Sequence, residues 1–264
     1  MTDTRDGAAR EEGFLEVEGR RLEYLRIAAA REDAPTLVFL HEGLGSVSLW
    51  RDFPARVAEA TGCGAFVYSR AGYGRSDPEP GPWGADFMHR HARDVLPRVL
   101  EAASIPDAVL VGHSDGASIA LVHAAADPSR VRSLVLLAPH VVVEDVTVAS
   151  IAALAAECRA SPDLPARFAR HHGANTDALL AAWTGVWLSP EFRAWNLEPH
   201  LPRIDLPILV IQGETDEYGT LRQVESIEHG TAGRVETLLL GGVGHSPHRD
   251  APDEVLAAMV EFIG

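Results

Sequence analysis

The residues best placed to do chemistry are Gly112-His113-Ser114-Asp115-Gly116, which follow the apolar run Val109-Leu110-Val111 and precede the helix-forming stretch Ala117 to Ala126. A GxSxG pentapeptide between a strand and a helix turns the chain sharply and exposes the serine oxygen at the strand tip, beside the free N–H groups of the helix start. The alternative is a glycine-flanked helix cap, with Ser114 satisfying one orphan N–H. A serine hydroxyl is a weak nucleophile near neutral pH, so it needs a base within hydrogen-bond reach and a third group to orient that base. Both stand downstream in loops that follow apolar runs. Asp216 lies in Gln212-Gly213-Glu214-Thr215-Asp216-Glu217, and His245 in Gly241-Gly242-Val243-Gly244-His245. His248 competes with His245, and Glu214 and Glu217 compete with Asp216, while His113 is expected to pack behind the turn. Acyl transfer also requires donors for the oxygen anion of a tetrahedral intermediate. The loop Leu40-His41-Glu42-Gly43-Leu44-Gly45 offers the N–H of Gly43, and the residue after the serine, Asp115, offers another.

Positioning such residues demands strands whose ends meet. Short runs rich in β-branched residues recur at Thr36 to Leu40, Ala65 to Tyr68, Ala108 to Val111, Leu134 to Leu137, Ile208 to Ile211 and Val235 to Leu240, and each predicts a buried strand. An opening hairpin is expected over Phe14 to Ile27, turning at Glu18-Gly19-Arg20. Amphipathic stretches at Trp50 to Ala60, Asp86 to Ala103, Asp115 to Ala126, Leu221 to His229 and Asp253 to Phe262 predict helices. This alternation predicts an α/β chain with a mostly parallel sheet covered on both faces. Residues 141–204 break the rhythm, with alanine-rich helical segments at Ser150 to Arg159 and Ala178 to Leu188, interrupted by Pro162, Pro165 and Pro190. That span is too long for a loop and predicts a helical lid inserted into a core of residues 1–140 and 205–264. Trp183, Trp187, Phe192 and Trp195 fall in the lid; most are expected to form its core, with Trp183 and Trp187 as candidate substrate contacts.

With 264 residues, 46% of them hydrophobic, the chain can bury one sizeable core. Its formal net charge of -15 disfavours nonspecific attraction to nucleic acid or anionic membrane, leaving a small molecule as the expected partner. Cys63 and Cys158 form no metal-binding or disulfide pattern. The leading segment, Met1 to Gly13, has no apolar core of the kind a secretory signal needs, and no run approaches the roughly 20 apolar residues of a membrane span. A cytoplasmic protein, monomer or homodimer, is the expectation. Nothing in the histidine spacing calls for a metal, and no cofactor is predicted.

The elbow, the loop at His41, and the order Ser114, Asp216, His245 together resemble the α/β-hydrolase superfamily over almost the whole chain. The resemblance implies an eight-stranded, mostly parallel sheet with a helical lid. It also implies serine-dependent hydrolysis of a small-molecule carboxylic ester or lactone through an acyl-enzyme, with a bulky, apolar or macrocyclic substrate among the options. A C-C bond hydrolase of dienolate ketones, a cofactor-free haloperoxidase or perhydrolase, and a slow-turnover ligand receptor are the alternatives. Ser69-Arg70-Ala71-Gly72-Tyr73-Gly74-Arg75-Ser76 looks like the family's turn after the next strand, with Ser69 where aspartate is usual, and is given a structural role. In His41-Glu42-Gly43 a glutamate replaces the first glycine of the family's oxyanion loop. Glu42 is expected to bind backbone donors or an arginine such as Arg70, or else, with His41, to contact substrate.

Overall fold

The computed structural model describes residues 9–79 and 81–264. Most of the leading segment read above, residues 1–8, lies outside them. Eight strands form one sheet: β1 (Arg10–Val17), β2 (Arg20–Ile27), β3 (Thr36–Leu40), β4 (Gly64–Tyr68), β5 (Ala108–His113), β6 (Val131–Leu137), β7 (Ile208–Gly213) and β8 (Val235–Leu240). They lie in the order β1-β2-β4-β3-β5-β6-β7-β8. The hairpin β1–β2 pairs antiparallel and joins β4 antiparallel, and every other pairing is parallel. This is the eight-stranded, mostly parallel sheet that the resemblance implies.

The central strands are continuous apolar runs because both their faces are covered. Alternate residues divide between two cores, as the two-residue strand period requires. Leu37, Phe39, Val109, Val111, Val135 and Ile211 pack on one side with residues of α1 (Phe53–Thr61) and α9 (Pro252–Ile263). Val38, Leu40, Leu110, Leu134, Leu136 and Val210 pack on the other. There they meet the helical run Phe87–Arg90 (α2), His91–Val95 and Leu96–Ala102 (α3), together with α4 (Asp115–Ala126) and α8 (Arg222–Gly230). Residues 115–124 of α4 are all buried, as expected of a helix that is apolar all round.

Between β6 and β7 the described chain holds no strand. It forms α5 (Asp145–Ala160), α6 (Asp163–His172), α7 (Thr176–Trp187) and short turns at Glu191–Ala194 and Glu198–Arg203. The excursion leaves and returns at one place, where Val142 bridges Asn196 and the Leu197 N–H donates to the Val141 carbonyl at 2.7 Å. The helix α6 is absent from the sequence-based reading, which took Pro165 as an interruption. Pro165 sits in the first turn, where its missing N–H has no intrahelical acceptor to serve.

The register brings the strand ends together. Leu40 pairs with Gly112, His113 with Leu137, and Gly213 with Leu240. The loops holding His41 to Gly45, Ser114, Asp216 and His245 therefore leave the same edge of the sheet, the carboxyl edge at which open α/β sheets bind ligands.

Candidate active site

Ser114 stands between β5 and α4 with φ 53 and ψ -117, a conformation that side-chain-bearing residues rarely adopt. The turn holds because its N–H donates to Leu137 O at 2.9 Å and its carbonyl accepts from Ala117 N at 2.9 Å. Two glycines make it possible. A Cβ at Gly112 would run into the backbone of Ala117, and one at Gly116 would overlap the Leu40 carbonyl. The serine side chain makes no cap hydrogen bond; its Oγ lies 2.9 Å from His245 Nε2.

His245 Nδ1 faces Asp216, 2.9 Å from Oδ1 and 2.8 Å from Oδ2. The carboxylate also accepts from Tyr218 N at 2.7 Å, Gly219 N at 3.2 Å and Gln212 Nε2 at 2.7 Å. Burial pushes Asp216 up, but the hydrogen bond and charge of His245 and the Tyr218 N–H hold it below its ordinary value, so it stays ionised. The competitors go elsewhere. Glu214 is exposed, Glu217 accepts the His245 backbone N–H at 3.2 Å, and His248 is buried against Trp50 and His113. His140, unmarked by any motif, stacks 5.4 Å from His245, and burial with that neighbour pushes it down to about 3.

The N–H groups of Gly43 and Asp115 have no acceptor among the described residues. Arg70 fixes the loop that carries Gly43, donating from Nη1 to His41 O at 2.6 Å and from Nη2 to Glu42 O at 3.0 Å. His41 is fully buried; its Nδ1–H donates to Glu42 O at 2.7 Å and its Nε2 accepts from Arg70 N at 3.1 Å. Both ring nitrogens are occupied, so the expectation that His41 contacts substrate is corrected to a loop-holding position. The partner of the Glu42 carboxylate is Arg249 at 3.3 Å, not Arg70, whose guanidinium is taken by carbonyls. Glu42 also lies 3.5 Å from His113 Nδ1, and His113 Nε2 donates to the His245 carbonyl at 2.7 Å. Burial raises the Glu42 carboxyl, yet His113 and Arg249 hold it well below the ordinary carboxylate range. Glu42 thus ties the loop that carries Gly43 to the segment that follows His245.

Asp115 is fully buried, and its Oδ2 accepts the Trp183 indole N–H at 2.9 Å. That indole covers Gly43 so closely that a Cβ there would overlap it. Trp187 packs against His140 with ring centroids 5.4 Å apart, while Phe192 and Trp195 stack on each other at 5.3 Å behind it. The roles of Arg70 and Arg249 had no signal in the sequence, because their partners are backbone carbonyls and a carboxylate far away along the chain. Ser69 has the structural place expected, with Oγ donating to Glu23 and accepting from Val47 N, both at 2.9 Å. Among the described residues no cluster of His, Cys, Asp or Glu could hold a metal ion, and no helix is long and apolar enough to cross a membrane.

A strained serine hydrogen-bonded to a histidine, itself held by a buried carboxylate, can deliver an alkoxide-like oxygen to a carbonyl. Residues 37–258 match the family model described as the alpha/beta hydrolase family, and the chain belongs to that family. Over 105 residues, 39% of this chain and 37% of the relative, it is 39% identical to a protein of Azorhizobium caulinodans whose name is that of a carbamate hydrolase. It thus matches little more than a third of that relative's length. It is 24% identical over 86% of its length to a monoglyceride lipase homolog of Monkeypox virus, of which 87% is covered. Among solved structures, the fold is similar to the proline iminopeptidase of Mycobacterium smegmatis, with TM-score 0.72, 22% identity, and 96% and 97% of the two chains covered. The enol-lactonase of Burkholderia xenovorans gives TM-score 0.71 at 21% identity, with 95% and 99% covered.

Proposed function

We propose that this chain hydrolyses a small-molecule carboxylic ester or lactone through an acyl-enzyme on Ser114. His245 takes the hydroxyl proton as Ser114 attacks the carbonyl, then passes it to the leaving oxygen; water releases the acyl group with the same assistance. Asp216 holds the imidazole in the tautomer that accepts at Nε2 and steadies its charged form. The N–H groups of Gly43 and Asp115 receive the oxygen anion. Residues 141–204 serve as a helical cap over the strand ends, with Trp183 and Trp187 turned to the substrate. The reading calls for no cofactor and for a soluble, cytoplasmic setting.

The observation that carries it is the continuous chain of contacts from Ser114 Oγ through His245 to Asp216, 2.9 Å and then 2.8 Å. The names of relatives, a carbamate hydrolase, a lipase homolog and an enol-lactonase, support acyl transfer to water as the reaction class. The test is hydrolysis of short, medium and bulky p-nitrophenyl esters and of several lactones by wild type and Ser114→Ala, with intact mass following the acyl-enzyme. The expected outcome is turnover by wild type, a loss on the order of a millionfold in Ser114→Ala, and an adduct on wild type only. Equal rates in the two proteins would overturn the mechanism.

A further inference from the structure

The helix α6 buries one of its 10 residues, and that residue is polar. His172, in the last turn, is buried while the rest of the helix is half-buried or exposed, so apolar packing does not account for its place. Its two ring nitrogens do. Nδ1 accepts from the Gly74 N–H at 3.0 Å, and Nε2–H donates to the Leu44 carbonyl at 3.0 Å. A backbone N–H can only donate and a carbonyl only accept, which fixes the ring as the neutral tautomer protonated at Nε2. Beside it, Asn175 Nδ2 donates to the Gly74 and Ser76 carbonyls at 3.3 and 2.9 Å, and His171 Nδ1 lies 2.9 Å from Ser48 Oγ. The junction of α6 and α7 is thereby bound to two loops of the core, in addition to the root of the excursion at Val141 and Leu197.

One of those loops carries Gly43. The excursion touches two consecutive residues of it, with the Trp183 indole over Gly43 and His172 on the Leu44 carbonyl. Both residues lie in a tight turn closed by Gly45 N donating to Glu42 O at 3.1 Å, so holding one carbonyl of the turn restrains the neighbouring N–H groups. A second proton on His172 would enter at Nδ1, against the Gly74 N–H. The charged groups facing the ring are already committed: Glu23 of β2 to Ser69 and Arg75, and Glu42 to Arg249. Tyr73, with its ring centroid 6.2 Å away, is kept protonated by burial. Burial pushes His172 down from its ordinary 6.5, and His171 adds to this against the Leu44 carbonyl, Glu42 and Glu23. The contact is therefore complete above the ordinary value and is lost as pH falls through the lower, folded one.

We infer that His172 is a positioning residue, a clasp that joins the helical excursion to the loop carrying Gly43 and that acid opens; its effect on rate rests on the acyl-transfer reading above. Closed, the clasp keeps the Gly43 N–H aimed at the oxygen anion, where small misplacements are costly. Opened by protonation, it takes from α6 its one buried anchor and from the turn at Leu44 its outer hold. Residues 163–176 and the Gly43 loop then loosen together, and activity falls with them.

The test compares wild type, His172→Gln and His172→Leu. Glutamine keeps one donor and one acceptor but does not titrate, while leucine keeps neither. Hydrogen–deuterium exchange of segments 43–48 and 163–176 is followed by mass spectrometry without substrate at matched values between roughly pH 5 and pH 8, and kcat/KM for phenyl butanoate is measured over the same range. His172→Leu should exchange faster than wild type in both segments at every pH and lose about ten- to hundredfold in kcat/KM. His172→Gln should retain most of the protection and rate at the alkaline end, and at the acid end should be better protected and more active than wild type. Comparison at equal pH cancels the chemistry of exchange and the titration of His245, which all three proteins share. His172→Gln reads the switch even where His172→Leu folds poorly. Acid-induced exchange that His172→Gln suppresses, with no turnover of any ester by wild type, upholds the clasp and overturns the hydrolytic reading alone. A ratio of wild type to His172→Gln that stays constant with pH, wild-type protection in His172→Leu, or loosening of 163–176 that leaves the Gly43 loop and kcat/KM unaltered would each overturn the inference.

Discussion

The two sides of Ser114 are built differently. On the base side every oxygen of Asp216 is engaged, by His245, Tyr218 N, Gly219 N and Gln212, and all these groups come from loops at the ends of β7 and β8. On the side where Trp183 of α7 covers Gly43, Asp115 is held through Oδ2 by that indole alone, while its Oδ1 accepts no hydrogen bond among the described residues. A carboxylate held on both oxygens is preorganised to orient the imidazole beside it. A carboxylate held on one oxygen depends on a single contact from a separate helix, and is the more easily disturbed of the two.

Breaking the base side should have the larger effect. Asp216→Asn leaves the shape but removes the charge that holds the His245 tautomer, and kcat should fall about ten-thousandfold with an unchanged circular dichroism spectrum. A loss of less than tenfold would show that Asp216 is not the orienting acid. Next comes the elbow: Gly116→Ala forces a methyl onto the Leu40 carbonyl, and the strain should lower unfolding stability by about 1–3 kcal/mol or more in a urea titration. A stability equal to wild type would mean that β3 and α4 can separate at no cost.

Probes of the Asp115 side sharpen the contrast. Trp183→Phe keeps the ring over Gly43 but leaves the Asp115 carboxylate without either hydrogen bond, so stability should drop by about 1–3 kcal/mol and rise again with Asp115→Asn added; no recovery in the double variant would dissociate the two residues. The smallest effect is expected from Glu42→Gln. The folded pKa of Glu42 lies below its ordinary 4.5, so its ionic contribution is present above that value and fades as pH falls through the folded one. The melting temperatures of wild type and Glu42→Gln should differ most near neutral pH and converge in acid; a gap that widens on acidification would reverse the assigned sign.

Much of this was legible in the chain because it is local. The strand–GHSDG–helix segment needs only near neighbours to form, and apolar runs such as Thr36 to Leu40 and Val235 to Leu240 coincide with β3 and β8. The helix α6 was illegible because a proline reads as a breaker until its position within the first turn is known. The part played by Glu42 was illegible for another reason: its partners Arg249 and His113 lie 207 and 71 positions away, and no spacing rule spans such distances.

The sequence by itself determined the alternation of strands and helices, the strained serine, and the order in which Ser114, Asp216 and His245 occur. Side-chain type and period settle these, since each depends on burial patterns or glycine freedom within a few residues. Only the tertiary structure decided which carboxylate reaches His245, where Arg70 and Glu42 spend their charges, and that α7 sets Trp183 on Gly43 and Trp187 beside Asp115. Those outcomes depend on the register of a parallel sheet and on the packing of a helical excursion, which bring together groups that no local rule relates.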